Sequence, residues 1–199
     1  MKKNILLALL ALVITNGYAQ KKGGFRVGLD LGFVPSGGGG GAMFSLEPKY
    51  NIKDNMNIGL RLGAAAIVKD ITVDSAGAAA SGKVAVSGSY VGTYDYYFNK
   101  SGSSFAPYLG GGFGYYSLAN VELDENSTVP DKYSPTVSGA FGGLIRGGFE
   151  WAGFRMGLEY NIVPDSDLED IDGNKVGTAK NAYLGIHIGF FVGGGKWGK

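Results

Sequence analysis

From Gly24 to Val192 the chain keeps returning to one pattern. Large apolar side chains stand at every second position, and glycine or a single charge stands between them. A side-chain period of two belongs to extended strand, because successive side chains point to opposite faces. The run Phe154-Arg155-Met156-Gly157-Leu158-Glu159-Tyr160-Asn161-Ile162 has it without a break. Eight such runs are legible: Gly24–Val34, Ala42–Ile52, Met56–Val68, Ser87–Phe98, Phe105–Tyr116, Ser138–Trp151, Phe154–Val163 and Asn181–Val192. They are 10–14 residues long. That exceeds the ~5–6 of an ordinary globular strand and meets the ~9–11 that a tilted strand needs to cross a bilayer.

The two faces differ in kind. One carries Phe25, Leu29, Leu31, Phe44, Ile58, Leu60, Tyr90, Phe113, Phe141, Ile145, Leu158, Ile186, Phe190 and their equivalents, and no charge. The other is glycine interleaved with Arg26, Asp30, Glu47, Lys49, Arg61, Asp95, Arg146, Glu150, Arg155, Glu159 and His187. A soluble ligand-binding barrel turns its apolar face inward, and a membrane barrel turns it outward. Volume decides between them. An eight-stranded barrel has an interior that side chains just fill, so more than thirty large apolar groups do not fit inside. Glycines with a few long charged side chains do. Five acids stand against five bases on that face, which supplies the partners that buried charges require. The expected arrangement is a lumen charge network that fills the interior.

The connections alternate in length. They are short at Lys53-Asp54-Asn55, Asn99–Ser104 and Ala152-Gly153, and long and polar at Lys69–Val86, Ser117–Val137 and Pro164–Lys180. The first, Pro35–Gly41, is a glycine tract of medium length. Short turns at one end and long loops at the other match periplasmic turns and extracellular loops. An even number of strands returns both termini to the short-turn end. Aromatic residues near run ends (Tyr50, Tyr96, Phe98, Phe105, Trp151, Phe154) suit an interfacial girdle.

The N-terminus reads as an address. Lys2 and Lys3 precede the apolar run Ile5–Ile14, and Gly17-Tyr18-Ala19 offers small residues for cleavage between Ala19 and Gln20. The expected organisation is a signal peptide at 1–19 and one barrel domain at 20–199, exported to the bacterial outer membrane. The absence of cysteine excludes a disulfide scaffold, a thiolate metal site, a cysteine nucleophile and a lipid-modified cysteine. A net charge of +1 with no basic cluster argues against a nucleic-acid partner.

These features resemble the small outer-membrane β-barrels of Gram-negative bacteria, the group of the OmpA transmembrane domain, OmpX and OmpW. The segments Phe105–Tyr115 and Phe154–Asn161 carry the resemblance, together with the ending Tyr183–Lys196, whose style is similar to barrels of the Bacteroidetes type. The resemblance implies an all-β, eight-stranded antiparallel up-and-down transmembrane barrel. Its implied partners are the lipid bilayer, the outer-membrane assembly machinery and an extracellular partner at the long loops. Such barrels often end on an aromatic residue; here Gly193–Lys199 follows Phe190 and Phe191, with Trp197 third from last. The assembly signal is therefore expected at Phe190 and Phe191.

Chemistry is sparse. His187 is the one histidine, and no serine–histidine–acid set can be assembled around it by spacing. Asp165, Asp167, Glu169, Asp170 and Asp172 precede Gly173, but the spacing fails that of a calcium loop. Gly37–Gly41 lacks the Lys-Ser/Thr and the helix of a phosphate loop. Asn126-Ser127-Thr128 matches a glycosylation triplet, which has little meaning in a bacterial context. No catalytic residue, cofactor or metal is expected. The function expected is a structural or surface-loop interaction protein with a plugged lumen. The alternative is a narrow porin, or an OmpW-like transporter of small hydrophobic molecules, toward which inward Ile67, Val91 and Leu144 point.

Overall fold

A computed structural model describes residues 21–37, 40–73, 80–99, 103–124, 137–169, 175–195 and 197. The expected signal segment, with Ala19 and Gln20, lies outside them, as do the triplet at 126–128 and part of the acidic loop. The strands are β1 (Phe25–Val34), β2 (Gly40–Lys53), β3 (Met56–Val73), β4 (Ala80–Tyr97), β5 (Phe105–Asp124), β6 (Val137–Trp151), β7 (Phe154–Ile162), β8 (Ser166–Glu169), β9 (Lys175–Ala179) and β10 (Tyr183–Gly193). Eight of them close an antiparallel ring in the order β1-β10-β7-β6-β5-β4-β3-β2, while β8 and β9 form a separate hairpin. The β1–β10 ladder, from Arg26↔Gly193 to Phe33↔Ile186, seals the ring. Closure leaves no sheet edge within the apolar band.

The alternation places the two faces. Every member of the large apolar set is exposed or half-buried on the outer wall, with Phe113 and Phe190 each 66 % exposed. The charged side chains of the opposite parity are buried. At the short-turn rim the outward aromatics meet one another, as Tyr96 with Phe98 and Phe105 with Phe149. The β6–β7 hairpin turns through Ala152 and Gly153 at φ 48° and 99°, the two left-handed residues that a type I′ turn requires.

Three elements run past their expected ends. β3 continues to Val73, β4 begins at Ala80, and β5 continues to Asp124. Pairing needs only backbone, so the ladders extend beyond the apolar pattern: Val73 pairs with Ala80, and Asp124 with Ser81. The rim is therefore uneven. β7 has 9 residues and β5 has 20. At ~3.3 Å per residue and a tilt of ~40°, these rise roughly 23 Å and roughly 50 Å, against an apolar band of about 25 Å. Above β2's last partner, Val68, and β6's last partner, Ala119, the β3–β4–β5 sheet has two edges unpaired among the described residues. The long polar connection at 164–180 also holds structure, in the β8–β9 hairpin.

Candidate functional site

The lumen is the candidate site. All ten charged side chains of the inner parity are buried, and so is His187. Glycine makes the room. A Cβ on Gly110 would stand 2.0 Å from Asp95 Oδ1, and one on Gly189 would stand 2.2 Å from Asp30 Oδ1.

Eight of the ten charges join one web. Arg146, on β6, donates from Nε to Asp95 Oδ1 at 2.8 Å and from Nη1 to Glu47 Oε2 at 3.0 Å. Its Nη2 bridges both carboxylates, at 2.6 Å to Glu47 Oε1 and 2.9 Å to Asp95 Oδ2. Lys49 donates to Asp95 and stands 3.2 Å from Glu47. Thr93 donates its hydroxyl to Glu47 at 2.6 Å. Arg155 reaches Asp30 and Glu47 from Nη1, both at 3.2 Å, and Glu150 from Nη2 at 3.1 Å. Arg26 closes the web on Glu150 at 2.5 Å, with its guanidinium 3.6 Å from the centroid of the Phe191 ring. Four acids and four bases leave the web neutral, which is the condition under which such charges tolerate burial.

The remaining two form a separate pair toward the long-loop end. Arg61 Nη2 donates to Glu159 Oε1 at 2.6 Å, and Asn161 donates to the same oxygen at 2.9 Å. Tyr116 donates to Asn161 at 2.9 Å. Beyond that layer the lumen becomes apolar. One cluster holds Val34, Met43, Ala65, Ile67 and Tyr183; another holds Val91, Tyr116, Leu118, Leu144 and Val163.

His187 stands apart from the web. Its Nδ1 is 3.6 Å from Asp30 Oδ1, beyond hydrogen-bond reach, and neither ring nitrogen has a hydrogen-bond partner. Among the described residues no serine or threonine oxygen is held by the ring. Among the described residues no group of three or more His, Asp or Glu side chains is arranged to hold a metal ion.

The inner wall also carries large aromatics that glycine and charge had overshadowed: Tyr97, Tyr108, Tyr116, Tyr183 and Phe191 are all buried. Parity was their signal, since each stands two positions from an inner glycine or charge. Trp197 is buried too, and it lies past the last strand, where no periodicity points to it.

No known family model matches the sequence, and no curated protein sequence matches it. Solved structures do match. The outer membrane protein OprG from Pseudomonas aeruginosa is similar at a TM-score of 0.56 and 15 % identity, over 89 % of this chain and 97 % of that one. The chain has the fold of the small eight-stranded outer-membrane barrels. Neisserial surface protein A overlaps less closely, at a TM-score of 0.49 and 15 % identity over 86 % of this chain and 97 % of that one. The N-terminal barrel of Pseudomonas aeruginosa OprF stands at 0.44, with 14 % identity over 85 % and 98 %. At such identities the likeness is one of fold, and any activity has to be read from the lumen and rims of this barrel itself.

Proposed function

We propose that this chain is an integral protein of the bacterial outer membrane, delivered there by the segment 1–19. In this reading it has a closed lumen, and its working surface is the β3–β4–β5 sheet that rises above the apolar band. One observation carries the reading: two ion pairs, Arg146–Glu47 and Arg61–Glu159, reach across the interior. Beside the first pair, Asp95, Asp30 and Glu150 each accept a hydrogen bond from a buried arginine. Ions would pass only if this neutral web came apart, which leaves buried charges unpaired and is costly. With the lumen closed, the parts that remain available to a partner are the polar loops and the sheet edges at Lys69–Val73 and Asn120–Asp124, unpaired among the described residues. Such edges accept a partner's extended strand through main-chain hydrogen bonds.

The test is ion conductance of the refolded barrel in a planar bilayer, after heat-dependent gel mobility has verified folding and insertion. Electrical silence is the expected result. Discrete steps in verified, inserted protein would overturn the closed lumen and move the reading to a narrow pore.

A second reading has its own support. The two apolar clusters at the long-loop end give the upper lumen walls suited to a small hydrophobic molecule. Leu144→Asp would then abolish binding of a fluorescent apolar probe. Absence of probe binding by the unsubstituted barrel removes this reading.

A further inference from the structure

Beyond the last strand the chain does not leave the barrel. Gly193, Gly194 and Gly195 adopt left-handed backbone, with φ of 82°, 65° and 86°, a run that side chains other than glycine rarely follow. The turn brings Trp197 into the short-turn mouth, where it is 8 % exposed. Its ring lies 5.1 Å from that of Tyr97 and joins a cluster with Ala106, Tyr108 and Phe191. Its Nε1–H donates to Glu150 Oε2 at 2.8 Å. Arg26, Tyr97 and Arg155 all donate to the other oxygen, Oε1, so among the described residues the indole alone serves Oε2. No ladder holds Trp197, because β10's pairing with β1 ends at Gly193. The tether is pinned one step earlier, where Gly194 O accepts from Lys21 N at 3.3 Å and from Asn51 Nδ2 at 3.0 Å.

We propose that the short-turn mouth is a binding site for a planar aromatic ring bearing an N–H donor, and that Trp197 fills it in cis as a tethered stopper. The walls are aromatic, the floor is one carboxylate oxygen that no other described residue serves, and the occupant hangs on a glycine hinge rather than on a strand. A buried carboxylate oxygen left without a donor is unfavourable, so an emptied site would accept either water or a replacement ring of the same chemistry.

The chain has no cysteine, so Ala106→Cys sets a single thiol in the wall of the site, at a position 0 % exposed. Full-length Ala106→Cys and Ala106→Cys/Trp197→Gly are refolded, checked by heat-dependent mobility, and labelled with a water-soluble methanethiosulfonate. Labelling is expected to be about tenfold faster or more without Trp197, since protection follows the opening equilibrium of the docked group. Added indole should restore slow labelling, and naphthalene, which lacks the N–H, should not. Equal rates in the two proteins overturn the stopper. Acceleration that indole fails to reverse, or that naphthalene reverses equally, overturns the binding site. A second readout adds no sulfur to the wall. Trp151→Phe leaves Trp197 as the sole tryptophan, and acrylamide should quench it weakly. Quenching as strong as that of free tryptophan overturns the docking.

Discussion

Arg146 and Glu47 face each other across the full width of the barrel. Two hydrogen bonds join them, at 2.6 and 3.0 Å. Their strands, β6 and β2, are four places apart whichever way the ring is counted. Arg61 and Glu159, on β3 and β7, are diametrically opposed in the same sense. These two pairs act as spokes, and each ties opposite walls through a contact that no neighbouring strand can replace.

Removing one end of a spoke should therefore be expensive. Arg146→Met leaves Glu47 and Asp95 short of a shared cation in a buried setting, and breaking such a pair costs about 3–5 kcal/mol. The double change Arg146→Met/Glu47→Met removes one charge of each sign and restores neutrality. It should be less destabilised than Arg146→Met alone. Urea unfolding in lipid vesicles, followed by gel mobility, measures both. A double variant at least as unstable as the single one would contradict the web's charge balance.

The two faces make opposite demands. Leu60 is 48 % exposed on the outer wall and Ala65 is 4 % exposed within. Leu60→Arg should cost about 2–4 kcal/mol in a bilayer. Ala65→Ser should change stability by under about 1 kcal/mol. Equal losses in the same unfolding assay would reverse the assignment of inside and outside.

Glycine matters at particular places. At Gly110 a Cβ meets the Asp95 carboxylate at 2.0 Å and the Tyr94 carbonyl at 2.8 Å, whereas at Gly88 it meets nothing within 4 Å. Gly110→Ala should destabilise by about 1–3 kcal/mol, the usual cost of overpacking. Gly88→Ala should be neutral to within about 0.5 kcal/mol. Comparing their urea midpoints in vesicles separates a steric requirement from a general preference for glycine.

Ala152 is the one described residue other than glycine with positive φ, at 48°. Asparagine tolerates that conformation better and leads the sequences of such turns. Ala152→Asn should stabilise by about 0.5–1 kcal/mol, read as a higher urea midpoint with unchanged slope. A lowered midpoint would mean that the turn is held by something other than its local backbone.

The ring of eight strands was legible because each run repeats one two-residue rule five to seven times. Parity alone sorts Leu158 from Glu159 and Ile188 from His187. What parity does not carry is partnership. Nothing along the chain says that Arg61 meets Glu159 rather than Asp95, because that depends on which strands stand opposite after closure. The upper ends of β3, β4 and β5 were hidden for a different reason. Ala80-Ser81-Gly82-Lys83 offers no apolar alternation, and the ladder there is set by backbone pairing with neighbours already in place. Trp197 has no repeat to betray it. Its burial depends on three consecutive left-handed glycines, whose backbone conformation the sequence does not reveal.

The unequal strand lengths give the molecule a front. A simple cylinder would look alike from every direction in the plane of a membrane, but here one sector stands high and the sector around β7, β10 and β1 is only about as tall as the apolar band. Neighbours approaching through the lipid would meet a parapet from one side and an open sill from the other. In a crowded membrane such a barrel has a compass bearing, and its contacts would be set by which way it turns as much as by what it touches.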